Sequence, residues 1–595
     1  MTKTNNVSSP VIKEVSYNKN SIDELLSSLG TNNKKSELLL DYPTVYIIHD
    51  EEQSQKYTVY VGETTDIRRR TNQHLLEDPN TREDWNQLSH AKDARMFVIG
   101  HPHFNKSLTL DVENQLMMYL LSVDSITQIN NRRTNPQNQY YTADEMKPIF
   151  SKIWRKLHGY DANLFPLESI IRDSALFKAS PFHQLTNEQV LAKQLITDKI
   201  ELAMSRPEVG QLIMVEGDAG AGKTVLLSNL FYDLNEDLLS QNNFSEASPH
   251  AYLLINHEQQ LKVYEQIAQK LGLTRLDEKI VTKPTNFINN HTSENPVDII
   301  LIDEAHLLWT QGKQSYRGKN QLQDLLKLAK VVIVVFDQHQ VLKTVEYLEA
   351  DQINELERQS KDNGNLIQLK NQMRMDANLN TIDWITDFVF NQAIKTIPHD
   401  AKYELKIATN PQSLQNEIQK KAKDTESNKH GLSRVLATFD WKYVNQKKPE
   451  DGSDYWYVSD GDWSMPWNLQ LPRTRKQNQA ERGLSWAEQP ETINEVGSTY
   501  TIQGFDLNFA GVIIGESVKY RNGHIIFDPA GSKDKTATQK RTLSDGTKAR
   551  VAEDLLRNQL NVLLTRGVHG LYLYAVDKEL QQALLNAANA QHRLE

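Results

Sequence analysis

Short apolar runs separated by polar, glycine-bearing turns recur over most of the chain. Six of them read QLIMVEG (211–217), AYLLINH (251–257), VDIILID (297–303), VVIVVFD (331–337), GVIIGES (511–517) and LYLYAVD (571–577). Continuous apolar runs between helical stretches predict buried strands of parallel α/β domains over residues 186–595. Upstream the pattern differs. TVYIIHD (44–50) and VYVG (59–62) predict two paired strands within a small α+β domain over residues 41–150. In SLTLDVENQLMMYLLSV (107–123), Leu110, Leu116, Met117 and Leu120 recur at helical spacing. Glu113 falls on or beside that apolar face, where a carboxylate is costly unless a cation or a hydrogen-bond donor meets it. Residues 1–40, rich in Ser, Asn and Lys, predict a loosely ordered arm with a short helix near SIDELLSSL. Residues 151–185 read as a linker.

Composition narrows the class. A chain of 595 residues has room for about three to four domains. It contains no cysteine, which removes disulfides, cysteine-ligated zinc and thiol catalysis together and fits a cytoplasmic location. No apolar run reaches about 18 residues, so no membrane partner is expected. The net charge of −10 argues against a basic coat, although local patches can still contact phosphates.

Residues 217–224 read GDAGAGKT, the G-x-x-x-x-G-K-[ST] phosphate loop, between an apolar strand and a helix. Gly217, Gly220 and Gly222 let backbone N–H groups approach phosphates. Lys223 reaches the β- and γ-phosphates of ATP, and Thr224 can hold Mg²⁺. The strand ending in Asp303 and Glu304 places two acids beyond a carboxyl end, where ligands of open α/β sheets sit. Asp303 would organise Mg²⁺ and Glu304 would orient or deprotonate a water. VVIVVFDQHQ offers Asp337 and Gln340, and QLKNQMRM offers Arg374.

The remaining chemistry lies around VYVGETTDIRRRTNQHL (59–75). The paired strands carry Tyr46 and Tyr60. Thr64, Thr65 or Asp66 can cap the next helix. Arg70 and His74, four apart, share one helical face, while Arg68 and Arg69 point elsewhere.

Two resemblances follow. Residues 180–595 resemble superfamily 1 helicases, most closely the Schlafen-like DNA/RNA helicase group, on the loop, Asp303–Glu304, STYTIQGFDLNF and NVLLTRGVHG. That implies a γ-phosphate sensor at Gln340, arginines completing the ATP site at Arg374 and Arg566, and an adenine-reading Gln189 in LTNEQ. Tyr500 and Asp506 depart from the usual histidine and glutamate of the coupling motif. Residues 42–140 resemble GIY-YIG endonucleases on TVY, YVG, Arg70, His74, Glu113 and the pair Asn130–Asn131. That implies a divalent metal, Mg²⁺ or Mn²⁺, on Glu113, charge stabilisation by Arg70, and a general base at Tyr46 or Tyr60 with His74 assisting. Glu63 stands where some members carry lysine.

The fold class expected is therefore α/β: a GIY-YIG-like nuclease domain followed by two RecA-like parallel-sheet motor domains, 186–375 and 376–595. Five of the nine tryptophans lie from Trp441 to Trp486, beside the basic RTRKQ at 473–477. They either pack the second motor domain, the favoured reading, or stack bases of a single strand. The function expected is ATP-dependent cleavage and remodelling of nucleic acid, with DNA favoured over RNA and room for a homo-oligomer. The alternatives are an ATP-gated binding protein whose GIY-YIG-like domain does not cut, and an NTPase acting on protein assemblies.

Overall fold

The computed structural model describes residues 7–29, 33–53, 55–80, 83–130, 140–217, 220–240, 251–273, 279–312, 315–372, 374–424, 431–474 and 484–591. Asn131, Asp218, Ala219 and most of the RTRKQ stretch lie outside them. The chain divides into two compact units. The first holds residues 1–186 with 228–251 and 263–281; the second holds 187–227, 252–262 and 282–595.

In the first unit, strands β1 (Val11–Ser16), β2 (Thr44–Gln53), β3 (Lys56–Thr64), β4 (Arg95–Gly100) and β5 (Ile126–Ile129) form one sheet in the order β1-β4-β2-β3-β5. All neighbours are antiparallel except β3 and β5. The β2–β3 register sets Tyr46 opposite Gly62 and Ile48 opposite Tyr60. Side chains alternate faces along a strand, so this pairing puts Tyr46 and Tyr60 on one face.

Two features of this unit correct the sequence reading. The described residues of the N-terminal segment, 7–29 and 33–40, do not form a loose arm: β1 pairs along its length with β4. Val15, Leu25, Leu29 and Leu39 are buried in the same apolar cluster as Tyr46, Tyr60 and Trp85. Residues 151–185 are not a free linker either. The helix Met146–Tyr160 buries Phe150, Ile153, Trp154 and Leu157. Trp154 donates to Pro166 O at 2.7 Å, and its ring meets Tyr119 edge-on. Tyr57 donates to Asp161 at 2.9 Å. A few well-spaced apolar residues suffice to bury a strand edge and a helix face, whatever the average polarity of the segment.

The second unit holds two sheets. The first, of six strands, contains β6 (Gln211–Gly217), β7 (Ala251–Ile255), β8 (Val281–Thr282), β9 (Val297–Asp303), β10 (Ala329–Phe336) and β11 (Leu366–Leu369) in the order β11-β6-β10-β9-β7-β8, with β11, β6, β10 and β9 parallel. The second has the order Glu404–Ile407, Gly567–Ala575, Leu507–Ile514, Ser433–Ala437, Val496–Gly497, all neighbours parallel. This is the mixed α/β architecture expected. The tryptophans of the second lobe pack: Trp456, Trp463 and Trp467 are buried against Leu414, Ile418, Val435 and Phe509.

Because Val15, Leu25, Leu29 and Leu39 complete the core of the first unit, Leu39→Ala in the full chain is expected to destabilise that unit by about 2–5 kcal/mol. Urea unfolding followed by near-UV circular dichroism measures this. A stability equal to wild type would mean that the segment is only loosely attached.

Candidate functional site

The first unit gathers Tyr46, Tyr60, Arg70, His74 and Glu113. The helix Ile67–Leu76 is capped by Asp66, whose side chain accepts from Arg69 N at 3.0 Å. Its inward face is Ile67, Thr71 and His74. Arg70 stands beside that face half-buried, whereas Arg68 and Arg69 are exposed. Arg70 Nε donates to the Tyr46 hydroxyl at 3.3 Å, and that hydroxyl lies 2.7 Å from His74 Nε2. The Tyr46 and Tyr60 rings stack with centroids 6.0 Å apart.

Gly62 is required by this packing. A Cβ there would lie 2.4 Å from the Tyr46 hydroxyl oxygen, so the second signature's glycine clears the space that the first signature's tyrosine fills. Burial pushes both tyrosine hydroxyls above their ordinary range, with Arg70 acting the other way. Burial works to lower Arg70, but the oxygens of Tyr46 and Tyr60 outweigh it and hold the guanidinium charged.

Glu113 is buried on the helix Lys106–Leu121, and its charge acts on both tyrosines. Asn130 is buried beside β3, its N–H bonded to Val59 O at 2.9 Å. Glu63, the departure from lysine, is paired with Lys106. Among the described residues no group of three or more His, Cys, Asp or Glu could enclose a metal ion. The buried carboxylate of Glu113 nevertheless fits Mg²⁺, which keeps several waters and takes phosphate oxygens alongside one or two carboxylates.

Three residues near this site escaped the sequence reading. Asp78 lies 2.5 Å from His74 Nδ1, and Trp85 stacks on the His74 ring at 3.7 Å between centroids. Tyr17 follows β1 and is buried within electrostatic reach of Asp78, Tyr60 and Arg70. The four-residue step from His74 to Asp78 was the available signal for the first; Trp85 and Tyr17 had none.

The second unit gathers the other set around the carboxyl ends of β6, β9 and β10. Gly220 has φ +90°, and a Cβ there would lie 2.5 Å from Arg374 Cβ, so glycine is needed for both conformation and space. Lys223 bonds Gly217 O and lies 3.2 Å from Asp337. Thr224 follows in the first turn of the helix. Gln189 donates to Gly222 O at 3.0 Å. The neighbouring Glu188 accepts from Lys370 N at 2.8 Å and Asn371 N at 3.2 Å, tying the segment that leads to Arg374.

Asp303 accepts from Glu304 N at 3.0 Å. Glu304 holds a left-handed backbone (φ 50°, ψ 50°), and its carboxylate lies 3.3 Å from His306. Burial works to raise Asp337, but the Lys223 ammonium, then His306 and Gln340, hold it below the carboxylate range.

Gln340 connects the two sheets of this unit. Its Nε2 donates to Asp337 at 2.7 Å and its Oε1 accepts from Arg566 at 3.2 Å. Arg566 is fully buried; burial first, then the like charge of Arg374, lowers it to about 10, against the pull of Asp506. Asp506 lies 2.7 Å from Arg374 Nε and 3.8 Å from Arg566. The acid that departs from the usual glutamate is thus the shared counter-ion of both arginines. Tyr500, the other departure, donates to Asp534 at 2.5 Å. The arrangement unites a glycine loop, a lysine, two acids at a strand end and two arginines, as transfer of a terminal phosphoryl group requires.

Comparison with known proteins finds two domain families in the chain. A model of the Schlafen group 3 DNA/RNA helicase domain matches residues 210–577, and a model of the GIY-YIG catalytic domain matches residues 42–118. The chain belongs to the Schlafen group 3 helicase-domain family and carries a GIY-YIG catalytic domain ahead of that domain. A Saccharomyces cerevisiae protein, "Uncharacterized protein YPL245W", is 34% identical over 410 residues, 63% of this chain and 84% of that protein. A solved chain, "The structure of PRRSV helicase", aligns at 11% identity and a TM-score of 0.27, over 64% of this chain and 56% of its own. Domains of these two kinds imply nucleic-acid binding. No described helix is long and apolar enough to cross a membrane.

The Tyr46–Gly62 contact makes a direct prediction. Gly62→Ala is expected to displace the Tyr46 hydroxyl and cost the first unit about 1–3 kcal/mol by overpacking. Thermal unfolding of the full chain measures it, and an unchanged transition would show that Tyr46 does not occupy that space.

Proposed function

We propose that the chain is an ATP-dependent nuclease-helicase that cleaves nucleic-acid phosphodiesters, DNA in preference to RNA, under the control of an ATP-driven translocase. The observation that supports this reading is the coexistence of two residue sets in one chain: Tyr46, Tyr60, Arg70 and His74 with Glu113, and Lys223, Asp303, Gln340, Arg374 and Arg566 around one glycine loop.

Glu113 in one unit, and Thr224 and Asp303 in the other, would hold a divalent metal, which would supply positive charge at phosphate oxygens. Arg70 stabilises charge developing on the scissile phosphate. A tyrosine of the pair takes the proton of the attacking water, with His74 assisting. In the motor, Lys223 contacts the β- and γ-phosphates, Gln189 reads the adenine, and Glu304 orients the attacking water. Gln340 senses the γ-phosphate while Arg374 and Arg566 neutralise its charge. Gln340 and Arg566 are already bonded across the two sheets, so nucleotide turnover has a path by which to move one lobe against the other. A single-site nuclease that cuts both strands is served by a homo-oligomer or by two passes. Defence against foreign DNA, or repair, suits such a fusion.

The test is cleavage of plasmid DNA and of RNA with Mg²⁺ or Mn²⁺, with and without ATP. Glu113→Ala is expected to abolish cleavage and leave strand-stimulated ATP turnover intact. Arg374→Ala is expected to reduce ATP turnover by at least about 10³-fold, with cleavage following it if turnover drives cutting. Equal cleavage by Glu113→Ala would remove the metal-site assignment. Turnover of ATP indifferent to any strand would favour an NTPase acting on proteins.

A further inference from the structure

The side chains around His74 form a closed ring of hydrogen bonds. Arg70 Nη1 donates to Gln73 Oε1 at 2.9 Å, and Gln73 Nε2 reaches Asp78 Oδ1 at 3.4 Å. Asp78 Oδ2 lies 2.5 Å from His74 Nδ1, and His74 Nε2 lies 2.7 Å from the Tyr46 hydroxyl. Arg70 Nε, 3.3 Å from that hydroxyl, closes the ring. Positions 70, 73 and 74 share one side of the helix, and Asp78 opens the next turn. Trp85 lies flat on the His74 ring, with the planes 15° apart, and fixes its rotation.

The ring assigns directions. A carboxylate accepts only, so Nδ1 of His74 carries the proton that faces Asp78. Nε2 then has the lone pair, and Tyr46 donates to it. Arg70 donates to the same hydroxyl oxygen, so that oxygen meets a cation on one side and a proton acceptor on the other. Tyr60 presents its ring to His74 edge-on, with centroids 5.3 Å apart.

We propose that Asp78, His74 and Tyr46 form a proton relay in which Asp78 is the positioning residue that makes His74 the acceptor of the Tyr46 proton, and Tyr46 the general base. The relay rests on the nuclease reading above and deepens it. As a water oxygen forms its bond to phosphorus, its proton passes to the Tyr46 oxygen and the Tyr46 proton passes to His74 Nε2. The bond from phosphorus to the leaving oxygen breaks. That oxygen takes a proton from solvent, and His74 returns its own to solvent. Asp78 stays ionised and stabilises the imidazolium. His74 therefore provides what a buried tyrosine hydroxyl lacks by itself, a proton acceptor already within hydrogen-bond distance at 2.7 Å.

The experiment is steady-state cleavage by the full chain with Mg²⁺, comparing wild type with Asp78→Asn, Asp78→Glu, Tyr46→Phe, Tyr60→Phe and the double variant Asp78→Asn/Tyr46→Phe. Asp78→Asn is expected to lower kcat by about 10²- to 10⁴-fold at unchanged KM. Asp78→Glu, which keeps the carboxylate, regains part of that loss. The double variant falls no lower than Tyr46→Phe alone, because two residues acting through one step do not add. A merely structural role would raise KM or multiply the two losses. A wild-type kcat in Asp78→Asn, multiplicative losses, or loss confined to Tyr60→Phe overturns the relay while leaving the nuclease in place. Wild type that cuts no better than Glu113→Ala overturns the nuclease reading, and the relay with it.

Discussion

A guanidinium with no water around it has to be answered by oxygen, and the second unit is organised about one. Arg566 donates to Val562 O at 3.1 Å, Phe505 O at 3.4 Å and Gln340 Oε1 at 3.2 Å, with Asp506 close by. Its own carbonyl accepts from Leu507 N at 2.9 Å. One residue therefore fixes the corner Phe505–Leu507, the start of the strand Gly567–Ala575 and the side chain of Gln340. An unanswered buried charge would cost several kcal/mol, so these partners are held in place by Arg566 as much as they hold it. The first unit repeats the constraint on a smaller scale, where half-buried Arg70 is answered by Tyr46 and Gln73.

Where local physics decides, the sequence was informative. β6, β9 and β10 lie where the apolar runs predicted them, because a strand buried on both faces has to be apolar throughout. The glycine loop was legible because its glycines are forced, Gly220 by its positive φ and by Arg374. The pairing of Tyr46 with Tyr60 followed from a period of two along paired strands. The separation of Arg70 from Arg68 and Arg69 followed from a period of 3.6 along a helix.

Other features depend on partners that no local pattern names. Averaged over 40 residues the N-terminal segment is polar, yet Val15, Leu25, Leu29 and Leu39 are spaced to cover the sheet and lie in the core that holds Tyr46. Trp85 gives no hint in sequence that it will stack on His74. In sequence, Asp506 stands only as a departure from the usual glutamate. In space its shorter side chain meets two arginines at once. Asp78 was the near miss: its spacing from His74 was visible, but a carboxylate one turn beyond a histidine is ordinary until the Tyr46 hydroxyl appears on the other ring nitrogen.

The two sites make opposite demands on their buried bonds. In the first unit, the ring through Arg70, Gln73, Asp78, His74 and Tyr46 can stay closed while protons move along it, so its value lies in being formed beforehand. In the second, Lys223 is bonded to Asp337 and Gly217 O, and Arg374 is ion-paired with Asp506. In the proposed ATPase these same cations have to turn to phosphate. A buried ion pair suits that exchange, because its attraction is largely offset by the desolvation already incurred, and replacing a carboxylate by a phosphate oxygen leaves the charge balance nearly unchanged. Gln340, bonded on one side to Asp337 and on the other to Arg566, then registers which partner Lys223 has chosen. A rigid ring suits proton transfer and an exchangeable set of pairs suits a motor, so the difference between the sites lies in which bonds have to break.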